Sequence, residues 1–318
     1  MPTQVETLNR LANRFTGGFI LAFHEISPAR FVELVTCLKG FRVVTLSELV
    51  ERSRNGQSTS GLFAITVDDG VGDNVRGLAR ALASHRWPGT FYLPTGYVDS
   101  HWGMPFQWWY KVEPFLPRHV IELNSETLDF RPRGAVHDFW RRLEVLWRTR
   151  PIEAYLPLIM ELVDYVEREC GVSRQDLTPA PPITWPEVSE WSRNELIAFE
   201  SHGVTHIAVS ALTPAELTAE MEQSRQRIEE HTGRPCRHFC YPFGSAEAIG
   251  LEGPQAAQRF YDSAVTLSMG PVDEANQWLL PRIPFYEKNS LTFAKLKIAL
   301  KCTAVRNVFR YRSYRFAN

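Results

Sequence analysis

Charge of one sign is what this sequence most clearly lacks. Its 318 residues carry 35 Lys and Arg against 36 Asp and Glu, a formal net charge of -1 with a pI near 6.8. No global basic field is available to hold a polyanion, so nucleic acid is not an expected partner. Cysteine is too sparse for a scaffold: Cys37, Cys170, Cys236, Cys240 and Cys302 form no CxxC pair and are odd in number. That argues against a disulfide framework and suits a reducing compartment. Long hydrophobic runs are missing as well. Phe19 to Phe23 is far too short to span a bilayer, and Met1 to Gly18 contains no apolar signal-peptide core, so a cytoplasmic location is expected. Internal repeats and low-complexity linkers are also absent. What is present is 44% hydrophobic content over a length that suits one large domain.

Short apolar runs alternate with helical periodicity along most of the chain. Gly18–Phe23, Phe41–Val44, Phe63–Val67, Thr90–Leu93, Leu196–Phe199, Arg237–Tyr241, Ala264–Leu267 and Trp278–Ile283 read as strands. Phe31–Leu38, Thr45 or Ser47 to Val50, Asn74–His85, Pro186–Arg193 and Thr213–Glu230 read as helices, the last with Glu216 placed for a capping box. The rhythm predicts an α/β barrel. It breaks between about residues 97 and 182, where aromatic-rich loops and a helix near Ile152–Glu169 predict an insertion or subdomain.

Polar chemistry sits at the carboxyl ends of separate predicted strands. His24 follows the first, Asp68-Asp69-Gly70 the third, His202 and His206 a later one, and Pro242-Phe243-Gly244 another. In a parallel β/α barrel these ends share one face, which is where such folds build active sites. Adjacent carboxylates at a strand end point in different directions, so one of Asp68 and Asp69 can bind a cation while the other holds a proton. Two imidazoles and one carboxylate leave coordination positions open, as catalytic rather than structural zinc requires; iron, cobalt or nickel also suit them. A bound divalent metal brings the pKa of its water from 15.7 to about 7, and a second carboxylate alongside can take the proton. The backbone N–H of Phe243 is placed to stabilise an oxyanion. Metal-assisted hydrolysis is the reaction class these residues point to.

The same residues resemble the polysaccharide deacetylase family, the NodB-homology domain of carbohydrate esterase family 4. Thr66-Val67-Asp68-Asp69-Gly70 is similar to its T-F-D-D-G motif, Ser201-His202-Gly203-Val204-Thr205-His206 to its S/T-H-x-x-T-H motif, and Cys240-Tyr241-Pro242-Phe243-Gly244 to its third. Phe23-His24-Glu25-Ile26, Gly89–Gly96 and Leu280-Pro281-Arg282-Ile283 agree with flanking stretches, so the resemblance runs from about residue 19 to 285. It implies a distorted (β/α)7 TIM-like barrel over residues 1–287, with the helical and aromatic insertion at about 97–182 and a basic segment at 288–318. It further implies removal of N-acetyl groups from amino sugars of a bacterial-type polysaccharide or lipid-linked glycan. Asp69, His202 and His206 would bind the metal, most simply Zn2+, Asp68 would be the general base, and the Phe243 N–H would meet the oxyanion.

Three departures stand out. Val67 replaces the usual Phe. Cys240 stands where members with an R-x-P-Y motif have an Arg that orients the base, which makes Arg282, and with it Tyr241, a candidate for orienting the base or substrate. The late L-x-H motif that supplies a general acid has no counterpart, since His238 is the last histidine; His24 is the candidate replacement. Trp102, Trp108, Trp109 and Tyr110 offer aromatic faces to sugar rings, Trp109 foremost, although core packing competes for them. The tail carries Lys288, Lys295, Lys297, Lys301, Arg306, Arg310, Arg312 and Arg315 without an acidic residue after Glu287, and so is expected either to lie peripherally on an anionic membrane or to dock on the barrel. A deformylase of a lipid-linked amino sugar, a hydrolase of small amides and a catalytically silent glycan-binding protein are the competing readings.

Overall fold

Runs of β-branched and aromatic residues form most of the strands, and three of them stop at His24, Asp68 and His202. The computed structural model describes residues 17–302, apart from 39, 124–125 and 273–275. Its main sheet contains β1 (Phe19–Phe23), β2 (Arg42–Val43), β3 (Leu62–Val67), β4 (Gly89–Leu93), β7 (Ile197–Ser201), β8 (His238–Cys240), β9 (Ser263–Val265) and β10 (Ile283–Phe285). Seven of them curl in the order β10-β1-β3-β4-β7-β8-β9, with β2 beside β3, and every pairing in this sheet is parallel. The result is a distorted (β/α)7 barrel.

Side-chain alternation separates two cores. Phe63, Ile65 and Val67 face outward into the large core shared with the helices, while Ala64 faces inward beside Ile20, Tyr92 and Cys240. Thr66, on Ala64's side, turns its hydroxyl to Leu21 O (2.7 Å). Small residues on this inner face leave room for one large polar side chain, Arg282, which is fully buried.

Arg282 enters the barrel at its seam. A continuous strand over Trp278–Ile283 does not form. Gln277 and Leu280 instead hydrogen-bond to Ala264 and Thr266 beside β9, and after Pro281 the chain changes partner, so that Ile283–Phe285 lies on β1. Pro281 has no N–H to continue a ladder. The Arg282 N–H goes to Ser268 O at 2.9 Å.

Helix starts follow local chemistry. Thr184 with Glu187 and Thr213 with Glu216 form capping boxes at Trp185–Trp191 and Pro214–Thr232. The insertion comprises helix Pro105–Val112, a hairpin of β5 (Val120–Leu123) and β6 (Glu126–Asp129), and helices Ala135–Thr149, Leu156–Cys170 and Arg174–Leu177. It has its own apolar core, which includes Trp109, Phe139, Ile159 and Leu162. Helix Leu291–Cys302 buries Ala294 and Ile298 in the main core, so this part of the basic segment is docked on the barrel. Arg306, Arg310, Arg312 and Arg315 lie outside the described residues. No helix among the described residues is long and apolar enough to cross a membrane.

Glu200, the penultimate residue of β7, ties that strand to the start of β8. It is buried, and Oε2 accepts the backbone N–H groups of Arg237 (2.7 Å) and His238 (2.8 Å) at the start of β8. Burial pushes its carboxyl up to about 8. An unfolded Glu titrates near 4.3, so the stability this group contributes is fully present below that value and lost as pH rises through about 8. Glu200→Gln keeps an acceptor and should flatten the loss of stability between about pH 5 and pH 8. Urea unfolding at the two pH values checks this; an unchanged slope would contradict it.

Candidate active site

Strand register places the polar residues. Phe23 of β1 pairs with Val67 of β3, so His24 and Asp68 follow side by side, and the Asp68 N–H donates to Phe23 O (2.9 Å). Leu93 of β4 pairs with Ser201 of β7, and the His202 N–H donates to Leu93 O (3.0 Å). Cys240 ends β8, and the turn Pro242-Phe243-Gly244 follows.

The backbone then bends sharply. Asp69, His206 and Phe243 have φ of 73°, 58° and 62°, half of the six non-glycine residues with positive φ among the described residues. Such left-handed backbone costs on the order of 1–3 kcal/mol per residue and persists where surroundings enforce it. At Asp69 it swings the carboxylate out of the strand line towards the two imidazoles. His202 Nε2 and His206 Nε2 lie 3.6 and 3.4 Å from Asp69 Oδ1, and the three donor atoms fall within 4.8 Å of one another.

These residues fit a divalent metal. All three are buried, all are nitrogen or oxygen donors, and His202 is pre-oriented because Nδ1 meets Cys240 O at 2.7 Å, leaving Nε2 for the site. Burial raises the Asp69 carboxyl, but its contacts with His202 and His206 more than offset that and hold it well below the usual range. Burial also lowers the His206 imidazole. Burial acts the same way on His202, but its contacts with Cys240, Asp69 and Asp68 more than offset that and hold it well above the usual imidazole range, so His202 must give up a proton when a metal binds. An ionised carboxylate and a neutral imidazole are the forms that ligate. Asp68, His202 and Cys240 are also close together, but that set is committed elsewhere: Arg282 takes both Asp68 oxygens and also donates to Cys240 Sγ.

Asp68 is held by a forked ion pair. Arg282 donates to Oδ1 and Oδ2 at 2.7 Å each, to Thr66 Oγ1 at 3.0 Å, to Cys240 Sγ at 3.0 Å and to Thr266 O at 2.9 Å. Every nitrogen of the guanidinium is therefore engaged. Burial pushes the Asp68 carboxyl upward, and the Arg282 charge with those of His24 and His202 more than offsets this, leaving it below its ordinary value. His24 Nε2 stands 3.6 Å from Asp68 Oδ2, and its ring is partly exposed.

Two sequence candidates are placed in packing instead. Trp109 is 1% exposed and stacks on Trp140 inside the insertion core, so it has no free face for a sugar. Tyr241 is fully buried against Phe239, and its hydroxyl donates to Trp278 O (2.9 Å) rather than to Asp68. Phe243 does lie at the site, with its ring 4.9 Å from that of His206.

Other residues escaped the sequence reading. Glu220 accepts from Val204 N (2.6 Å), Thr205 N (3.1 Å) and Thr205 Oγ1 (2.7 Å), which shapes the loop between the two histidines. Asn74 accepts from Ile26 N and donates to His24 O (2.6 Å), fixing the His24 loop. Trp147, from helix Ala135–Thr149, stacks on His206 at 5.4 Å and 16°. That helix has a legible apolar pattern in Val136, Phe139, Trp140, Leu143 and Trp147, which the aromatic richness of the region disguised. An open groove of about 730 Å3 lies beyond the His24 loop, between Glu25, Asp73 and Asn74 on the barrel and Gln107, Tyr110 and Lys111 on the insertion, and its lining includes none of Asp68, Asp69, His202 and His206.

Comparison with known proteins agrees with the fold. The family model described as polysaccharide deacetylase matches residues 55–253. Similar solved structures include Streptococcus pyogenes deacetylase PplD in complex with acetate, with 15% identity and a TM-score of 0.57 over 91% of this chain and 99% of that one. IcaB from Ammonifex degensii has 14% identity and a TM-score of 0.57 over 91% and 98%. The BpsB deacetylase domain from Bordetella bronchiseptica has 15% and 0.53 over 85% and 96%. At this identity the likeness establishes the fold. No curated protein gives a significant match.

Removing Arg282 should expose how much the buried pair matters. Arg282→Met leaves the Asp68 carboxylate buried without its cation, at a cost of about 3–5 kcal/mol near pH 7. In the parent protein the Asp68 contribution is present above the unfolded value near 3.9 and lost as pH falls through the lower folded value. In the variant Asp68 is pushed upward and protonates on mild acidification, so the deficit should shrink at about pH 4.5. Urea unfolding at both pH values measures it; a deficit independent of pH would show that the charge is not its origin.

Proposed function

Because the chain belongs to the polysaccharide deacetylase family, we propose that it is a metal-dependent hydrolase that removes N-acetyl groups from amino sugars of a polysaccharide or lipid-linked glycan. The observation that carries this reading is the meeting of Asp69, His202 and His206 beside an Asp68 held ionised by Arg282. Asp69, His202 and His206 would hold the metal, most simply Zn2+. When bound, it would acidify a water and polarise the substrate carbonyl.

Asp68 takes a proton from the attacking water. Its pairing with Arg282 keeps it anionic and aimed, at the expense of basicity, so it serves as acceptor only for an acidified water. As the water oxygen bonds to the carbonyl carbon, the Phe243 N–H donates to the developing oxyanion. The C–N bond then breaks, the sugar amine takes a proton from protonated His24, and acetate leaves. The 3.6 Å between His24 and Asp68 supports a route by which the proton gained by Asp68 returns to His24. The groove beside Glu25 and Tyr110 supports a substrate larger than a single sugar. Exposed Tyr286, just before the basic segment 288–318, and exposed Phe293 within it support peripheral membrane contact for a lipid-linked substrate.

Acetate release from N-acetylated oligosaccharides and lipid-linked amino sugars tests the reading on Zn2+-reconstituted protein. Asp68→Asn should lower kcat by about 10²–10⁴-fold, a chelator should abolish release, and His24→Ala should slow it. Formate in place of acetate would make the enzyme a deformylase. Metal and glycan binding without product would make it a silent binder. Either result would overturn the deacetylase proposal.

A further inference from the structure

The two site histidines are held in different ways. His202 has the hydrogen bond expected of a metal-binding imidazole, with Nδ1 2.7 Å from Cys240 O. His206 has none: Nδ1 is buried and finds no hydrogen-bond partner among the described residues. Its backbone sits at φ 58°, a conformation that the surroundings must enforce. The surface on which the His206 ring rests is the indole of Trp147, parallel to within 16° at 5.4 Å.

The same indole meets the Phe243 ring edge-on at 5.0 Å, and the Arg148 guanidinium lies over that ring at 4.5 Å. Phe243, with φ 62°, is the other non-glycine residue that pairs a left-handed backbone with a place in this aromatic cluster. Arg148 O accepts the Ala208 N–H at 2.9 Å, which anchors the turn of helix to the loop carrying His206. Trp147 is seated from behind by Phe106 (5.5 Å) and Trp140 (6.2 Å). One turn of the insertion thus touches loops after both β7 and β8.

We propose that the Trp147–Arg148 turn is a positioning clamp that sets the His206 imidazole and the Phe243 backbone N–H together. Stacking does for His206 what a hydrogen bond does for His202. The cation over the Phe243 ring fixes the turn that aims its N–H. The insertion is then a working part of the site rather than an appendage, and neither residue needs to touch the substrate.

The kinetic arm of the test rests on the deacetylase reading, whereas the metal-affinity arm does not. Zn2+ affinity is measured by chelator competition on the full chain for the parent, Trp147→Leu, Trp147→Phe, Arg148→Met and the exposed control Val145→Ala, with thermal unfolding of each recorded. Trp147→Leu should weaken Zn2+ binding about tenfold, and Trp147→Phe, which can still stack, should recover most of it. Arg148→Met should leave Zn2+ binding unchanged and lower kcat with little change in KM. Val145→Ala should match the parent. If Trp147→Leu lowers only the melting temperature, or raises KM with Zn2+ affinity intact, the clamp is wrong and Trp147 is packing or a substrate wall. A parent protein that binds no Zn2+ would overturn the metal reading itself, a result distinct from either of these.

Discussion

A charge buried inside a barrel must be answered from within it, and the Asp68–Arg282 fork is that answer here. Both side chains are withdrawn from solvent, where an unpaired ion costs several kcal/mol. The pair constrains everything around it. Thr66 and Thr266 must offer oxygens to the guanidinium, Cys240 must be small enough to admit it, and the closing strand must break at Pro281 so that Arg282 can turn inward. Cys240 leaves the space that the Arg282 guanidinium enters from the seam, 3.0 Å from its Sγ.

Rigid strands and strained loops divide the labour. Parallel register sets His24 beside Asp68 and His202 beside Leu93, while Asp69, His206 and Phe243 depart into left-handed backbone where the strands end. Those departures are held by neighbours distant in sequence: Glu220 under the histidine loop, Asn74 under the His24 loop, and Trp147 over His206. Strain concentrated on three residues is tolerated because the strands that lead into them, β3, β7 and β8, are paired on both sides.

Much of this was readable from local pattern. Asp68, Asp69, His202 and His206 stand where apolar runs stop, and Thr184 and Thr213 announce their helices by the Glu three residues on. The capping boxes and strand ends depend on neighbours in the chain, so spacing reveals them. The seam was misread because the Trp278–Ile283 run has strand-like composition, yet Pro281 redirects its hydrogen bonds. Trp109 and Tyr241 were overvalued for the opposite reason: an aromatic side chain suits a core as well as a ligand, and only packing decides. Glu220 acts across a tertiary contact that leaves no periodic trace in its own helix, and the apolar pattern that includes Trp147 does not say which surface that side chain meets.

The seam also has a meaning in time. Asp68 and Arg282 are 214 residues apart, so a ribosome adding about 5–20 residues per second releases the cation on the order of ten to forty seconds after the carboxylate. Through that interval β1 has no β10 to pair with, and the barrel stays open at its interior. A nascent chain can own Asp69, His202 and His206 before Asp68 has its cation. The last turn of the sheet to be made is therefore also the one that supplies the cation for Asp68, which ties the geometry of the site to completion of the fold.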